Sequence, residues 1–162
     1  MSSTDLLSTY LNDHLGGANV GLELARRLQA EAAGPDAEVF GSLADEIEED
    51  RDTLRQLIEK LGGGQHPVKQ AVGWVAEKAH RLAVHEKLTG GAELTWLLEC
   101  ETLSLGVEGK LALWLALLEV VPVYPELGEV DLAGLADRAR DQRSRLEVAR
   151  RNAARRAFAT PR

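Results

Sequence analysis

The amino-acid sequence predicts an all-α protein built as a four-helix bundle. Hydrophobic residues make up 44% of its 162 residues and aromatic residues only 4%, a balance typical of packed amphipathic helices rather than of sheets, which favour β-branched and aromatic residues. Apolar residues recur every three to four positions over long stretches, and no stretch alternates with a period of two for the length of a convincing strand. Because the chain is long enough to bury one core, we expect a single domain, 1–162.

Breaks containing glycine and proline separate the predicted helices. The four long helices are predicted over 4–33, 37–61, 92–120 and 131–157. The first is expected to be capped within Ser3–Asp5 and the second by Asp36, because short polar side chains accept hydrogen bonds from the free N–H groups of a first helical turn. Pro122 and Pro125 prevent the third long helix from continuing. A shorter helix over 68–88 is predicted as a crossover between the second and third long helices, which completes an antiparallel bundle.

Helical phase places polar side chains on the inward faces of the long helices. In the helix over 92–120, steps of 100° per residue put Glu101 and Glu108 on one apolar face. The residues sharing that face are Leu94, Leu97, Leu98, Leu105, Ala112, Leu115 and Ala116; Glu99 and Lys110 fall on the opposite side, and Cys100, Val107 and Trp114 on an edge. The other long helices carry His14, Asp50 and Gln142 inward, with Arg51, Arg138 and Arg145 at their margins. Because the midpoints of antiparallel helices share one layer, the sequence predicts a polar layer at mid-bundle.

Carboxylates inside such a layer need a cation. An isolated buried carboxylate is costly, and two neighbouring ones repel each other. A metal ion is one candidate cation, with ligands chosen from His14, Asp50, Glu101 and Glu108. An arginine is the other candidate, and the available ones are Arg51, Arg138 and Arg145. We expect Glu101 and Glu108 to be largely buried, with one of these arginines in contact with at least one of them.

Four long helices, a helical crossover and central carboxylates together resemble the ferritin-like superfamily, and the layout is similar to its YciF-type branch of small bacterial stress proteins. Ferritin-like di-iron proteins carry one Glu on each of two helices and a Glu-x-x-His pair on each of the other two. Here Ala18 stands where a first-helix Glu would fit, Arg51 replaces one imidazole and Ser104 follows Glu101 by three residues. The last helix offers Gln142 inward and no His. The resemblance therefore implies the fold with most di-iron ligands missing.

The sequence leaves three functional interpretations open. The favoured one is a ferritin-like bundle without a cofactor, which acts non-enzymatically as a stress-associated or protein-interaction module, as a homodimer or with another protein. The first alternative is an oxidase or iron-handling protein that holds iron or manganese with a reduced ligand set. The second is a DNA-associated bundle that uses Arg138–Arg156. Positions 138–162 hold nine Arg and two acidic residues, which gives this segment a charge of +7. Because the net charge of the whole chain is −7, residues 1–137 carry −14. The acidity of the whole chain opposes polyanion binding.

The cellular location is predicted from features that the chain lacks. Cys100 is the only cysteine, so no intrachain disulfide can form and a reducing compartment is expected. The first residues show no signal-peptide pattern. The longest apolar run, Leu111–Leu118, is too short to cross a bilayer. We therefore expect a soluble cytoplasmic protein that does not contact membranes.

Overall fold

The computed structural model of the protein describes residues 2–63 and 91–159, and within these ranges it is helical with no strand. The four long helices are α1 (Ser3–Glu31), α2 (Pro35–Lys60), α3 (Ala92–Val120) and α4 (Leu132–Phe158). A 3-10 helix, Pro125–Glu129, lies between α3 and α4. The predicted all-α helical bundle is confirmed, and the observed helix ends lie within two residues of the predicted ones. The crossover helix predicted over 68–88 lies outside the described residues.

The helix ends follow from local hydrogen bonding. At α1, Ser2 rather than Ser3 is the cap, and its hydroxyl accepts from the Asp5 amide at 3.2 Å while the Asp5 carboxylate accepts from the Ser2 amide at 2.8 Å. At α4, the Asp131 carboxylate accepts from the Gly134 amide at 2.9 Å. The prediction that Asp36 caps α2 is wrong. Gly34, with φ +57°, occupies the cap position, a left-handed conformation that glycine adopts without strain.

All neighbouring helices in the bundle run antiparallel. α1 packs against α2 and α3, and α4 packs against α3 and α2. Near the end of α1, Arg27 pairs with Glu99 near the start of α3. Near the end of α4, Arg156 pairs with Asp36 at the start of α2 at 2.8 Å. α2 ends at the same side of the bundle at which α1 begins, whereas α3 begins at the opposite side. The middle residues of the four helices therefore lie in a common layer.

Large apolar side chains fill the space between the helices. The most deeply buried include Leu11, Leu28, Phe40, Leu43, Leu57, Ile58, Leu103, Trp114 and Leu117. On α4 the inward positions hold small residues, among them Ala139, Ala149 and Ala153, which let this helix approach its neighbours closely. Within residues 2–63 and 91–159, no helix is both long enough and apolar enough to cross a membrane.

Candidate functional site

A network of charged and polar side chains crosses the middle of the bundle around Asp50, which is buried. One Asp50 carboxylate oxygen, Oδ2, accepts a hydrogen bond from the Lys110 ammonium at 2.5 Å. The other, Oδ1, accepts from the Arg138 guanidinium. The buried Gln142 amide completes the network, since its Oε1 accepts from Lys110 Nζ at 2.6 Å and its Nε2 donates to Asp50 Oδ2 at 3.3 Å. One carboxylate on α2 is thus neutralised by cations from α3 and α4.

A second tier of ion pairs connects this network to the surface. Gln142 Nε2 also donates to Glu46 Oε2 at 3.1 Å, and Glu46 pairs with Arg145. Arg138 reaches outward as well, to Glu49 at 2.9 Å. The network therefore runs without interruption from the core to the exposed face between α2 and α4.

Burial and pairing shift the proton affinities of these groups in opposite directions. Burial lowers the pKa of Lys110, and the nearby Asp50 carboxylate only partly opposes this. For Arg138, burial lowers the pKa but the carboxylates of Asp50 and Glu49 raise it further, so the net shift is upward. For Glu46, burial raises the pKa but hydrogen bonds from Arg145 and Gln142 outweigh it, so the net shift is downward. The shifts of Arg138 and Glu46 both favour the charged form of the side chain.

The structure separates the predicted metal ligands. Asp50 lies in the core network, and His14 lies on the wall of a neighbouring cavity. Glu101 and Glu108, by contrast, have side chains that are 43% and 52% exposed. The prediction that both are buried is therefore wrong. Their cations are also different from those expected, because Arg150 lies 3.5 Å from Glu101 and Arg143 lies 2.7 Å from Glu108.

The cause of this error is the rotational phase of α3. The residues that α3 turns into the core are Thr95, Leu97, Glu99, Cys100, Leu103, Val107, Leu111, Leu113, Trp114 and Leu117. The face predicted to be inward includes Leu105 and Leu115, which are exposed. Glu99 and Lys110 were expected in solvent, whereas Glu99 is buried beside Arg27 and the Lys110 side chain is only 14% exposed. Apolar residues occur all around α3, so its sequence supports two phases.

The sequence does contain a pattern that indicates the inward position of Lys110 on α3. Positions 100, 103, 107, 110, 114 and 117 repeat with alternating steps of three and four, and they hold Cys, Leu, Val, Lys, Trp and Leu. Lys110 is the single charge on that face, just as Asp50 is the single charge in the corresponding pattern of Leu43, Ile47, Leu54 and Leu57 on α2. If the two charged residues at the centres of these patterns are expected to pair, the observed contact between Lys110 and Asp50 follows.

The arginines predicted for the polar layer have different roles. Arg138 contacts Asp50 directly, and Arg145 belongs to the second tier through Glu46. Arg51 instead pairs with its own-helix neighbours, Asp52 at 2.9 Å and Glu48 at 3.4 Å.

The donor set observed at mid-bundle does not fit a di-iron centre. Both oxygens of Asp50 already accept hydrogen bonds from cations, and a metal ion placed there would be repelled by the Lys110 ammonium. Nowhere in residues 2–63 and 91–159 do three His, Cys, Asp or Glu side chains come together in a group suited to a metal ion.

A cavity of about 400 Å³ adjoins the network, between α1, α2 and α3. The described residues of its apolar wall include Ala18, Val20, Leu24, Ile47, Leu54, Leu103, Leu105, Val107, Leu113 and Trp114. Glycines at positions 17, 21, 106 and 109 also line it, and a Cβ atom at any of them would meet no atom of the described chain within 4 Å. Asp50 and Lys110 of the network are also among the residues that line this cavity. Its volume falls within the range of roughly 300–1,000 Å³ that is typical of small-molecule sites.

The arginines of α4 are largely engaged within the protein. Those that pair with a carboxylate are Arg138, Arg140, Arg143, Arg145, Arg150, Arg151 and Arg156. Arg155 donates to the Asn152 side chain at 2.9 Å.

Cys100 on α3 is buried. Burial raises the pKa of its thiol to about 12, so the reactive thiolate is disfavoured at neutral pH.

Comparison of the chain with protein-family models, with curated proteins and with solved structures gives no match. The network around Asp50 and the cavity beside it are therefore the features from which a function can be inferred.

Proposed function

We propose that this protein is a metal-free, ferritin-like helical bundle that acts by binding rather than by catalysis. The observation that carries the proposal is the Lys110 ammonium at 2.5 Å from the buried Asp50 carboxylate, with Arg138 on its other oxygen. In ferritin-like metal centres, metal ions neutralise the central carboxylates. Here two side-chain cations do so, and they leave Asp50 no free oxygen with which to bind a metal.

The ferritin-like part of the proposal is supported by the directions of the helices. α1 and α2 run antiparallel, α3 and α4 run antiparallel, and α2 ends at the opposite side of the bundle from the start of α3. Ferritin-like bundles have this arrangement, with one long connection between the second and third helices of the bundle.

Elemental analysis tests the absence of a metal centre. Protein purified without chelator should contain iron and manganese far below one atom per chain, both before and after incubation with either ion. The Asp50→Asn variant should give the same values, because Asp50 is not a ligand. One iron or manganese atom per chain in the wild type, lost in Asp50→Asn, would contradict the proposal and favour the iron-handling or oxidase alternative.

A protein-interaction role is supported by the outward face of α3. Leu105 and Leu115 are 53% and 39% exposed, and they lie on one face with Ala112 and Ala116, which are also exposed. We propose that this face contacts a second copy of the chain. Sedimentation velocity should show a dimer for the wild type and a monomer for Leu115→Glu. Monomeric wild-type protein at high concentration would refute the dimer.

The DNA-associated alternative has less support, because most arginines of α4 pair with carboxylates of the same chain. Duplex DNA should therefore bind weakly even at low salt. Tight binding that weakens steeply as the salt concentration rises, and that is lost on replacing Arg150, Arg151, Arg155 and Arg156, would favour that alternative instead.

A further inference from the structure

The charges that line the cavity between α1, α2 and α3 balance. Among its described lining residues, the carboxylates are those of Asp13 and Asp50, and the side-chain cations are Arg51 and Lys110. His14 adds no charge at neutral pH, because burial lowers its pKa from the ordinary value of 6.5 by more than the neighbouring carboxylate raises it. A buried ion without a counter-ion is costly. This wall therefore disfavours both anionic and cationic ligands and accepts an uncharged one.

Most polar groups of the wall are already engaged within the protein. Both carboxylate oxygens of Asp50 accept hydrogen bonds from cations. Arg51 pairs with Asp52 at 2.9 Å. The Thr102 hydroxyl donates to the Leu98 carbonyl at 2.8 Å. What these residues leave to a ligand is mainly the apolar surface of the aliphatic side chains around them.

Trp114 on α3 offers the cavity a free hydrogen-bond donor. The residue lines the cavity and is fully buried, and its indole nitrogen Nε1 has no hydrogen-bond partner among the described residues. An indole N–H can only donate, and a buried donor without an acceptor is destabilising. A ligand that brings an oxygen atom to this N–H would remove that penalty. The ligand that fits the wall is therefore apolar, uncharged and equipped with an acceptor.

Glycines leave the space for such a ligand. The ion pair between the end of α1 and the start of α3 fixes the register of these antiparallel helices. Counted from it, Gly17 lies level with Gly109, and both line the cavity. A Cβ atom at either position would meet no atom of the described chain within 4 Å, so close packing does not require glycine there. Because glycine is also less stable than alanine inside a helix, this pair is better explained by the space it leaves, within a cavity of about 400 Å³.

We propose that the cavity binds an uncharged, largely apolar molecule with one oxygen acceptor, such as a medium-chain ketone, whose carbonyl oxygen accepts from Trp114 Nε1 and whose alkyl part lies between Gly17 and Gly109. The inference rests on the proposed function, because it names the class of molecule that the bundle binds. A carbonyl oxygen satisfies the free donor without bringing a charge to a wall whose charges already balance.

Isothermal titration calorimetry with three eight-carbon probes tests the ligand class. The ketone 2-octanone should bind the wild type saturably with one site per chain. Octanoate and octylammonium, which have opposite charges, should each bind at least about tenfold more weakly, because each would bring an ion to a site that has no counter-ion to spare. Equal or tighter binding of either ion, or no binding of 2-octanone, would overturn the proposal.

Two tryptophan variants test the hydrogen bond. Trp114→Phe keeps an aromatic ring but removes the N–H, so 2-octanone should bind about fivefold more weakly or worse. Trp96→Phe is the matched control, because Trp96 also lies on α3 and its Nε1 also has no partner among the described residues, but it lines a different cleft. This variant should bind as the wild type does. Unchanged affinity in Trp114→Phe, or an equal loss in both variants, would contradict the assigned donor.

Two glycine variants locate the alkyl part. Gly17→Leu should abolish binding of 2-octanone, because the new side chain occupies the space between α1 and α3. Gly41→Leu is the matched control, since Gly41 lies on α2 outside the cavity and also has open space at its Cβ; its affinity should equal that of the wild type. Binding that persists in Gly17→Leu, or that is lost equally in Gly41→Leu, would show that the molecule lies elsewhere.

Metal analysis of the same samples keeps this inference distinct from the proposed function. Protein that contains one metal atom per chain and still binds 2-octanone at this site would refute the metal-free bundle alone. Protein that contains no metal and does not bind 2-octanone would refute the ligand assignment alone. Circular dichroism spectra of the variants should match that of the wild type, so that a loss of binding reports on the cavity and not on unfolding.

Discussion

Two ion pairs on α3 have nearly the same length and very different surroundings. Lys110 Nζ lies 2.5 Å from Asp50, with side chains 14% and 1% exposed, whereas Arg143 lies 2.7 Å from Glu108, with side chains 46% and 52% exposed. Water solvates the second pair whether or not it forms, so its contribution to stability is small. The first pair has replaced its hydration with protein groups, and removing one partner leaves the other without solvation. The difference in burial, rather than in distance, determines what each pair does for the protein.

The largest effect is expected at Asp50, because two cations depend on its charge. Asp50→Asn should lower the free energy of unfolding by about 3–5 kcal/mol, since it leaves Lys110 and Arg138 without their shared carboxylate. Urea denaturation measures this change. Asp52→Asn is the matched control on the same helix, because the Asp52 side chain is 38% exposed, and its effect should stay within about 1 kcal/mol. Equal effects of the two substitutions would refute the importance of burial.

Lys110→Met should have a smaller effect, because Asp50 keeps Arg138 and Gln142 as partners. We expect a loss of about 1–3 kcal/mol in the free energy of unfolding, as for other buried groups that lose one hydrogen-bonding partner. The comparison is with Lys60→Met, since Lys60 pairs with Glu129 on the surface and should change stability by about 1 kcal/mol or less. A loss at Lys110 that equals the loss at Asp50 would show that Arg138 does not hold the carboxylate.

The lowered pKa of Lys110 also predicts how stability changes with pH. Its pKa in the folded protein is below the ordinary value of 10.5, so between the two values the unfolded chain binds more protons than the folded one, and stability rises with pH. The contribution of Lys110 to the free energy of unfolding is fully present above pH 10.5, and it is lost as the pH falls through the pKa of Lys110 in the folded protein. The measurement is the difference in unfolding free energy between wild type and Lys110→Met, which should become more favourable to the wild type as the pH approaches 10.5. A difference independent of pH there would contradict the shift.

The smallest effect is expected at Glu108. Glu108→Gln breaks the exposed pair with Arg143 and should change the free energy of unfolding by about 0–1 kcal/mol, and less at high salt because counter-ions screen exposed charges. Urea denaturation at low and high salt measures both effects. The substitution is compared in the monomeric Leu115→Glu background, so that the proposed dimer does not cover this face, and a loss of several kcal/mol there would contradict the small contribution expected of an exposed pair.

The helix boundaries were predictable from sequence because glycine, proline and capping residues act locally. Gly34 before α2, Pro35 as its first residue and Asp131 before α4 determine where these helices begin, whatever packs against them. The inward faces of α2 and α4 were predictable as well. Each of these helices has one clearly polar side, so only the opposite, apolar side can face the core. Asp50 and Gln142 accordingly lie in the core, on the faces that the patterns indicate.

The face of α3 could not be chosen by hydrophobicity alone. Leu97 and Leu103 turn inward while Leu105 and Leu115 turn outward, and both sets are equally apolar. The deciding information is tertiary, namely that Asp50 on α2 needs a cation and that the long side chain of Lys110 can reach it. The same error of phase moved Glu101 and Glu108 into the predicted core and removed Glu99 from it.

The Gln142 amide has a consequence for how the helices can align. It donates from Nε2 to Asp50 and Glu46 and accepts at Oε1 from Lys110, so each end of the amide recognises a different chemical type of partner. If α4 slid by seven residues, about 10.5 Å at 1.5 Å per residue, Leu135 or Ala149 would replace Gln142 opposite Asp50 and Lys110. Such a slip keeps mostly apolar residues on the inward face of α4, but two buried charges would lose a hydrogen-bonding partner. The network thus favours one alignment among those that preserve the hydrophobic pattern of α4.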